Sequence, residues 1–365
     1  MTVTMPTFRP EVRGLEAKEP LSFLVVRRDN IGDLVCTTPL LHALRTRFPK
    51  AHIYALVNSY NAPALQNNPD IDGIFAYTKA KHRPRDVSLF SLYWQRMQMF
   101  LRMRRMCFDY AILASPGFSP RSLRLARLAG AQHIIGFSDS NETETRGLDI
   151  AVPYTLNKPL HEVEDIFRLL EPIGIHGEPP QVGVFAGKGN LKRAQITLSS
   201  LARPADKPII GIHISARKIS QRWPSEHFIR LIQCLWEEYH ASFLLFWSPG
   251  SSSNPLHPGD DEKAKEIMGK LSGIPILAYT SEQLPQLIAG LSLCDLIVCS
   301  DGGAMHLAAG LNKPILCFFG KSDRDRWHPW GVPYILYQPP SLDVKDISVE
   351  EALDGAKKLF TLLKH

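Results

Sequence analysis

Short runs rich in Val, Ile and Leu alternate with segments of helical period along this chain, and the series runs twice. SFLVVRR (22–28), AHIYALV (51–57), IFAY (74–77), DYAILA (109–114) and HIIGF (133–137) read as strands, with helix-period segments such as LVCTTPLLHALRTRF between them. PIIGIHI (208–214), ASFLLFW (241–247), IPILAY (274–279), DLIVC (295–299) and PILCFF (314–319) form the second series, around helical stretches at 225–240, 261–271, 282–293 and 303–311. Such alternation builds parallel sheets with helices on both faces. The expected class is α/β with two doubly wound domains. Ligands of such sheets bind at the carboxyl ends of the strands, here in a cleft between domains.

Residues 153–208 are richer in Pro, Gly and Lys and weakly periodic beyond a short helix near 161–171, so the domain boundary belongs there. The division expected is a flexible tail over 1–20, a first domain over 21–185 and a second over 186–365. The closing helix VEEALDGAKKLFTLL (349–363) is expected to be able to pack back on the first domain.

At 365 residues, 44% hydrophobic and 21% charged, the chain can bury two ordinary cores, which excludes disordered, collagen-like and disulfide-stapled classes. No apolar run reaches the roughly 18 residues that cross a bilayer. The first twenty residues lack the apolar centre of a secretory signal. Six cysteines, mostly within apolar segments and without a CxxC pair, read as buried hydrophobes of a reducing cytoplasm.

The net charge of +6 is unevenly spread. Between Lys79 and Arg127 eleven basic residues face only Asp86 and Asp109, so that stretch carries +9 and the rest −3. This fits an anionic partner (nucleic acid, a phosphorylated glycolipid or a membrane surface) and equally a solvated basic face. Within it, 88–106 is amphipathic: Phe90, Tyr93, Trp94, Met97, Phe100 and Leu101 share a face opposite Gln95, Gln98, Arg102 and Arg105. That face is expected to be core, the alternative being lipid.

Three stretches offer chemistry. RRDNIGDLVCTTP (27–39) is a strand-to-helix turn without the GxGxxG of dinucleotide binding, and the second strand ends without an acid for a ribose. Gly32 is a permissive hinge, and Asp33 is either a helix cap or a general base; the turn alone favours the cap. CDLIVCSDGGAMHLAAGLNKPILCFFG (294–320) runs a strand into Ser300-Asp301-Gly302-Gly303 and then a helix. Glycines at a helix N-terminus admit a diphosphate to backbone N–H groups, and His306 sits one turn inside to donate to a phosphate oxygen. Asp301 would repel a phosphate, so it caps the helix or accepts from sugar hydroxyls. In SARKISQRWPSEHF (215–228), Arg217, Lys218 and Arg222 are placed to neutralise a leaving diphosphate or form a solvated basic loop.

Together, RRDNIGDLVCTTPLLHALRTRFP, HISARKISQRWP and SDGGAMHLAAGLNKPILCFFGKSDRDRWHPWG resemble glycosyltransferase family nine, the bacterial heptosyltransferases. The resemblance spans the chain from about residue 21. It implies the GT-B fold of two Rossmann-like domains, and inverting, metal-independent transfer of heptose from ADP-heptose to the lipopolysaccharide core. It makes Asp33 the base. It implies donor contacts at Ser215, Arg217, Lys218, Gln221, Arg222, Thr280, Asp301, Gly302, Gly303, Met305 and His306. The acceptor contacts expected are Asn30, Gly32, Arg121 and Arg124. No metal or cofactor is implied beyond the nucleotide-sugar co-substrate. The partners are that donor and an anionic glycolipid, at the cytoplasmic face of the inner membrane. The family pattern is broken at Gly302, where Ser or Thr is usual, and at Gln221, where the lysine of K-x-W-P stands. A loop at 248–262 is also lengthened. These departures keep a non-catalytic nucleotide-sugar-binding relative as an alternative, beside a nucleotide-sugar 2-epimerase. Nucleic-acid binding fits least, because the aromatics of the basic stretch fall on one helix face.

Overall fold

The protein is described as a computed structural model over residues 20–78, 89–138, 147–154, 159–253 and 259–362. The expected flexible tail, apart from Pro20, and Lys79, Lys81, Arg83, Arg85 and Asp86 lie outside the described residues. Two compact units form: residues 20–29, 37–62 and 69–180 make the first, residues 30–36, 63–68 and 181–362 the second.

The first unit is built on strands β1 (Ser22–Val26), β2 (His52–Asn58), β3 (Gly73–Tyr77), β4 (Tyr110–Leu113), β5 (His133–Ser138) and β6 (Ile150–Pro153). They pair in the order β3-β2-β1-β4-β5-β6, all parallel. Every residue of β1 is buried, as its unbroken apolar run requires when helices cover both faces. A short helix α1 (Ile31–Val35) follows β1 and counts with the second unit. Then come α2 (Thr38–Arg47), α3 (Leu89–Arg105), α4 (Pro120–Ala129) and α5 (Glu162–Phe167). The continuous helical run expected from residue 34 is thus two helices. Pro39, inside the first turn of α2, has no N–H to give and suits a fresh helix start.

Strand register is pinned by aspartates just before the strands. Asp109 Oδ2 accepts the Ser22 N–H at 2.9 Å and Asp149 Oδ2 the Ile134 N–H at 2.8 Å. Asp72 Oδ2 accepts the Ile53 N–H at 2.7 Å, and in the second unit Asp295 Oδ2 accepts the Ile209 N–H at 2.8 Å. Each satisfies a strand-entry amide with a charge-assisted bond.

Helix α3 corrects an expectation. Phe90, Tyr93, Trp94, Met97 and Leu101 are exposed, not core. The opposite side packs inward: Met103 is fully buried, Met99 and Phe100 lie against the first unit's core, and Arg96 donates to the Thr78 carbonyl at 2.8 Å. The helix is apolar on two sides, and the flexible methionines take the side that meets the sheet. Beside it, Arg104 Nε donates to the Leu128 carbonyl at the end of α4 at 3.0 Å.

The second unit repeats the plan with β7 (Ile209–His213), β8 (Ser242–Phe246), β9 (Ile276–Ala278), β10 (Leu296–Ser300), β11 (Ile315–Phe318) and β12 (Tyr334–Tyr337). The order is β12-β11-β10-β7-β8-β9, again all parallel. Its helices are α6 (Lys188–Ser199), α7 (Ser225–Tyr239), α8 (Asp261–Lys270), α9 (Leu284–Ser292), α10 (Gly303–Gly310), α11 (Arg324–Trp327) and α12 (Val349–Leu362). Helix α6 occupies the stretch read as weakly periodic; only Ala194 and Leu198 are buried, too few for a legible stripe. Helix α12, expected to be able to return to the first domain, belongs to the second unit. There it packs on α7, β11 and β12 and buries Ala352, Ala356, Leu359 and Phe360. Among the described residues no helix is long and apolar enough to cross a membrane.

The first unit also buries an ion pair. Arg27 and Glu162 are both fully buried, with Arg27 Nη2 2.7 Å from Glu162 Oε1 and its Nε 3.3 Å from Asp29. Removing one partner strands the other's charge, whereas replacing both avoids that penalty. Glu162→Leu is expected to lower the unfolding free energy by about 3 kcal/mol. Arg27→Met/Glu162→Leu is expected to lose much less; chemical denaturation of both variants checks the order.

Candidate active site

The site is built at the carboxyl ends of β7 and β10, with α1 packed on α10. Strand β10 ends at Ser300, and the Asp301 N–H still bonds the Phe318 carbonyl at 3.0 Å. The chain then turns through Gly302, at φ 158° and ψ −172°, a conformation that glycine adopts far more readily than other residues. Helix α10 begins at Gly303. Its amino end presents the Gly303 and Ala304 amides ahead of the first intrahelical donor, the Met305 N–H, together with the positive end of its dipole.

Asp301 is held on its far side. Its Oδ2 accepts from Gln221 Nε2 at 2.7 Å and from Ser322 Oγ at 2.5 Å, and Gln221 Nε2 also reaches Ser322 Oγ at 2.7 Å. The loop that carries Gln221 is fixed by burial. Trp223 is 1% exposed and packs edge-on against Phe228 and at a tilt against Phe318, and its Nε1 donates to the Ile347 carbonyl at 2.9 Å. Lys263 Nζ donates to the Trp223 carbonyl at 2.6 Å and the Ile214 carbonyl at 3.4 Å. Burial pushes that ammonium down to about 8, against the pull of Asp260. Gln221 itself is buried, so its amide is aimed rather than adaptable.

His306 lies one turn into α10 and is buried. Burial lowers its pKa below the ordinary histidine value, outweighing the opposite pull of Asp301 and Asp33, and His328 adds to the lowering. The ring is therefore a neutral imidazole at pH 7. Its Nδ1 stands 3.7 Å from Cys36 Sγ, and the Trp327 ring lies edge-on at 6.0 Å. Helix α1 is pressed on this ring: a Cβ built on Gly32 would fall 2.5 Å from His306 Cδ2. Gly32, read as a hinge, is thus also a residue whose missing side chain makes room for the imidazole. Asp33 is buried in the same turn, and its Oδ2 accepts the Asn30 N–H at 2.8 Å and Asn30 Nδ2 at 3.1 Å. The cap and the charged group beside His306 are one residue.

The structure brings together Asn30, Gly32, Asp33, Gln221, Asp301, Gly302, Gly303 and His306. Met305 is fully buried on the core side of α10, and its N–H bonds the Gly302 carbonyl at 3.1 Å. Arg222 is tied to Asp260 at 3.1 Å and to the Ala216 carbonyl at 2.9 Å through Nη1 and Nε. Ser215 Oγ accepts the Ser248 N–H at 2.8 Å. Arg217, Lys218 and Thr280 are exposed, the first two just after β7 and the last just after β9. Arg121 and Arg124 are exposed on α4 of the first unit. Ser322 and Trp327 were missed as site residues, although both lie within the stretch SDGGAMHLAAGLNKPILCFFGKSDRDRWHPWG. Neither has a side chain whose chemistry stands out in sequence. Among the described residues no three His, Cys, Asp or Glu side chains gather into a metal-binding group.

Gly32→Ala is expected to cost about 1–3 kcal/mol of stability, as overpacking does. In a double-mutant cycle with His306→Ala, most of that loss is expected to return, because the ring is what the new methyl meets. Strictly additive losses in urea melts would contradict the contact.

Against this geometry stand the comparisons with known proteins. The family model described as glycosyltransferase family 9 (heptosyltransferase) matches residues 96–343. Lipopolysaccharide heptosyltransferase 2 of Escherichia coli K12 is 25% identical over 318 residues, covering 84% of each chain. The family 9 glycosyl transferase structure from Veillonella parvula superposes with a TM-score of 0.78 at 21% identity, over 95% of this chain and 98% of that one. The structure of E. coli ADP-heptose lps heptosyltransferase II gives 0.71 at 21% identity, over 94% and 100%. These likenesses identify the two parallel sheets as the GT-B fold. The family model spans well over half of the chain and takes in the strand-to-helix turn at Asp301 and the loop at Gln221; the protein belongs to glycosyltransferase family 9 and is a glycosyltransferase.

Proposed function

We propose that the protein transfers heptose from ADP-heptose, with inversion and without a metal, to an anionic lipopolysaccharide core acceptor at the cytoplasmic face of the inner membrane. The observation that carries this reading is the packing of α1 on α10, which sets the Asp33 carboxylate beside His306 and the amino end of that helix. The E. coli relatives, named for lipopolysaccharide and for ADP-heptose, supply the substrate class.

In the proposed reaction Asp33 takes the proton of an acceptor hydroxyl. The oxygen attacks the anomeric carbon from the face opposite the nucleotide, and the carbon–oxygen bond to the diphosphate breaks. The electron pair leaves with the diphosphate toward Gly303 and Ala304, whose amides and helix dipole stabilise it without reorganisation. With the Cys36 thiol donating to Nδ1, His306 Nε2 carries the ring proton and donates it in a hydrogen bond to the donor. Asp301, oriented by Gln221 and Ser322, accepts from sugar hydroxyls rather than from phosphate. Arg217 and Lys218 supply the cationic charge that Gln221 does not carry. In this reading Asn30 orients Asp33, and Arg121 and Arg124 meet the acceptor's anionic groups.

Calorimetric titration with ADP, UDP, GDP and CMP tests the donor assignment. ADP is expected to bind at least about tenfold more tightly than the others, and His306→Ala to weaken it by about tenfold, one charge-assisted hydrogen bond's worth. Selective binding of another nucleotide would replace the donor and leave the site. Absence of binding by all four would overturn the nucleotide-sugar reading of the site, and binding without transfer would favour the non-catalytic relative.

A further inference from the structure

We propose that the outward face of α3, with the arginines of α4 beside it, is a docking surface for an anionic phospholipid bilayer. Phe90, Tyr93, Trp94, Met97 and Leu101 are 45 to 79% exposed. Their spacing at i, i+3, i+4, i+7 and i+11 puts all five within about a quarter to a third of the helix circumference. This is a continuous stripe of large apolar side chains, not scattered surface hydrophobics. It lies opposite the Met99 and Met103 side that packs on the sheet, so the fold already satisfies the helix without it.

The charge around the stripe selects the occupant. Arg102, Arg104 and Arg105 are exposed in its last turn, and Arg121, Arg124 and Arg127 are exposed on α4. The two helices lie side by side through the Arg104–Leu128 bond, and neither contains an acidic residue. A second copy of the chain presenting the same face would set arginine against arginine. A bilayer with anionic headgroups offers each feature its partner: acyl chains for Phe90, Met97 and Leu101, the headgroup boundary for Trp94 and Tyr93, and phosphates for the arginines. The inference deepens the proposed membrane location by naming its surface. It rests on that reading only for the presence of a membrane, not for the transfer chemistry.

The test is cosedimentation of the full-length protein with vesicles of equal parts phosphatidylethanolamine and phosphatidylglycerol, and with vesicles of phosphatidylcholine alone. Neither preparation contains a glycolipid acceptor, so docking and transfer succeed or fail separately. Binding is expected to the anionic vesicles, and at least about tenfold weaker to the neutral ones or in high salt. Phe90→Ser/Trp94→Ser is expected to weaken binding by about tenfold or more, and Arg102→Glu/Arg105→Glu likewise. Both variants should keep the wild-type melting temperature, since all four side chains are exposed. Wild-type protein left in the supernatant would overturn the proposal, as would equal binding by the variants. A wild-type dimer that Phe90→Ser/Trp94→Ser turns into a monomer would also overturn it, assigning the stripe to a second copy.

Discussion

The imidazole of His306 occupies the space that a side chain at residue 32 would need, and the rest of the site depends on that contact. Because Gly32 has no Cβ, α1 lies close on α10, and the buried Asp33 of the next position acts on the same ring. The helix is only five residues long, too short to persist alone, so packing rather than propensity holds it. The same burial that fixes the ring keeps it neutral, and a neutral imidazole can donate at one nitrogen while accepting at the other. Geometry and protonation state therefore have one cause.

A second constraint acts on Asp301. A carboxylate at a helix amino end competes with any anionic ligand there, but here it is drawn toward the Gln221–Ser322 side by two short hydrogen bonds. Gln221 is held by a loop that Trp223, Lys263 and the Arg222–Asp260 pair anchor to the second core. Arg222 thus serves the scaffold that aims Gln221. The remaining cations of that loop, Arg217 and Lys218, are exposed where side chains can reorganise on binding.

Much of this was legible from the residues. Ten of the twelve strands among the described residues follow from apolar runs bounded by turn residues. The glycine pair after β10 marked the helix start that the structure shows. Asp33 was readable as a cap or as a base, and the structure gives it the cap's bonds while placing it beside His306. What sequence reading could not supply was direction. The stripe on α3 has the period of a core face, yet periodicity does not say which of two apolar sides meets the sheet, and the methionine side did. Met305 was an expected donor contact, yet its side chain is fully buried. Ser322 gains its role only through tertiary contacts, with Asp301 and, across 101 residues, with Gln221. Strands β6 and β12 are four-residue edge strands whose pattern is too short to stand out.

The central claim is that Asp33 is a reacting group and not only the cap of α1. The most direct measurement is paired: sugar transfer and ADP affinity in Asp33→Asn, whose amide oxygen can still accept from the Asn30 N–H. Transfer is expected to fall by about 10²–10⁴, the usual worth of a positioned general base, with ADP affinity unchanged. Transfer at the wild-type rate, or a fall matched by an equal loss of ADP affinity, would leave Asp33 a structural residue and contradict the account.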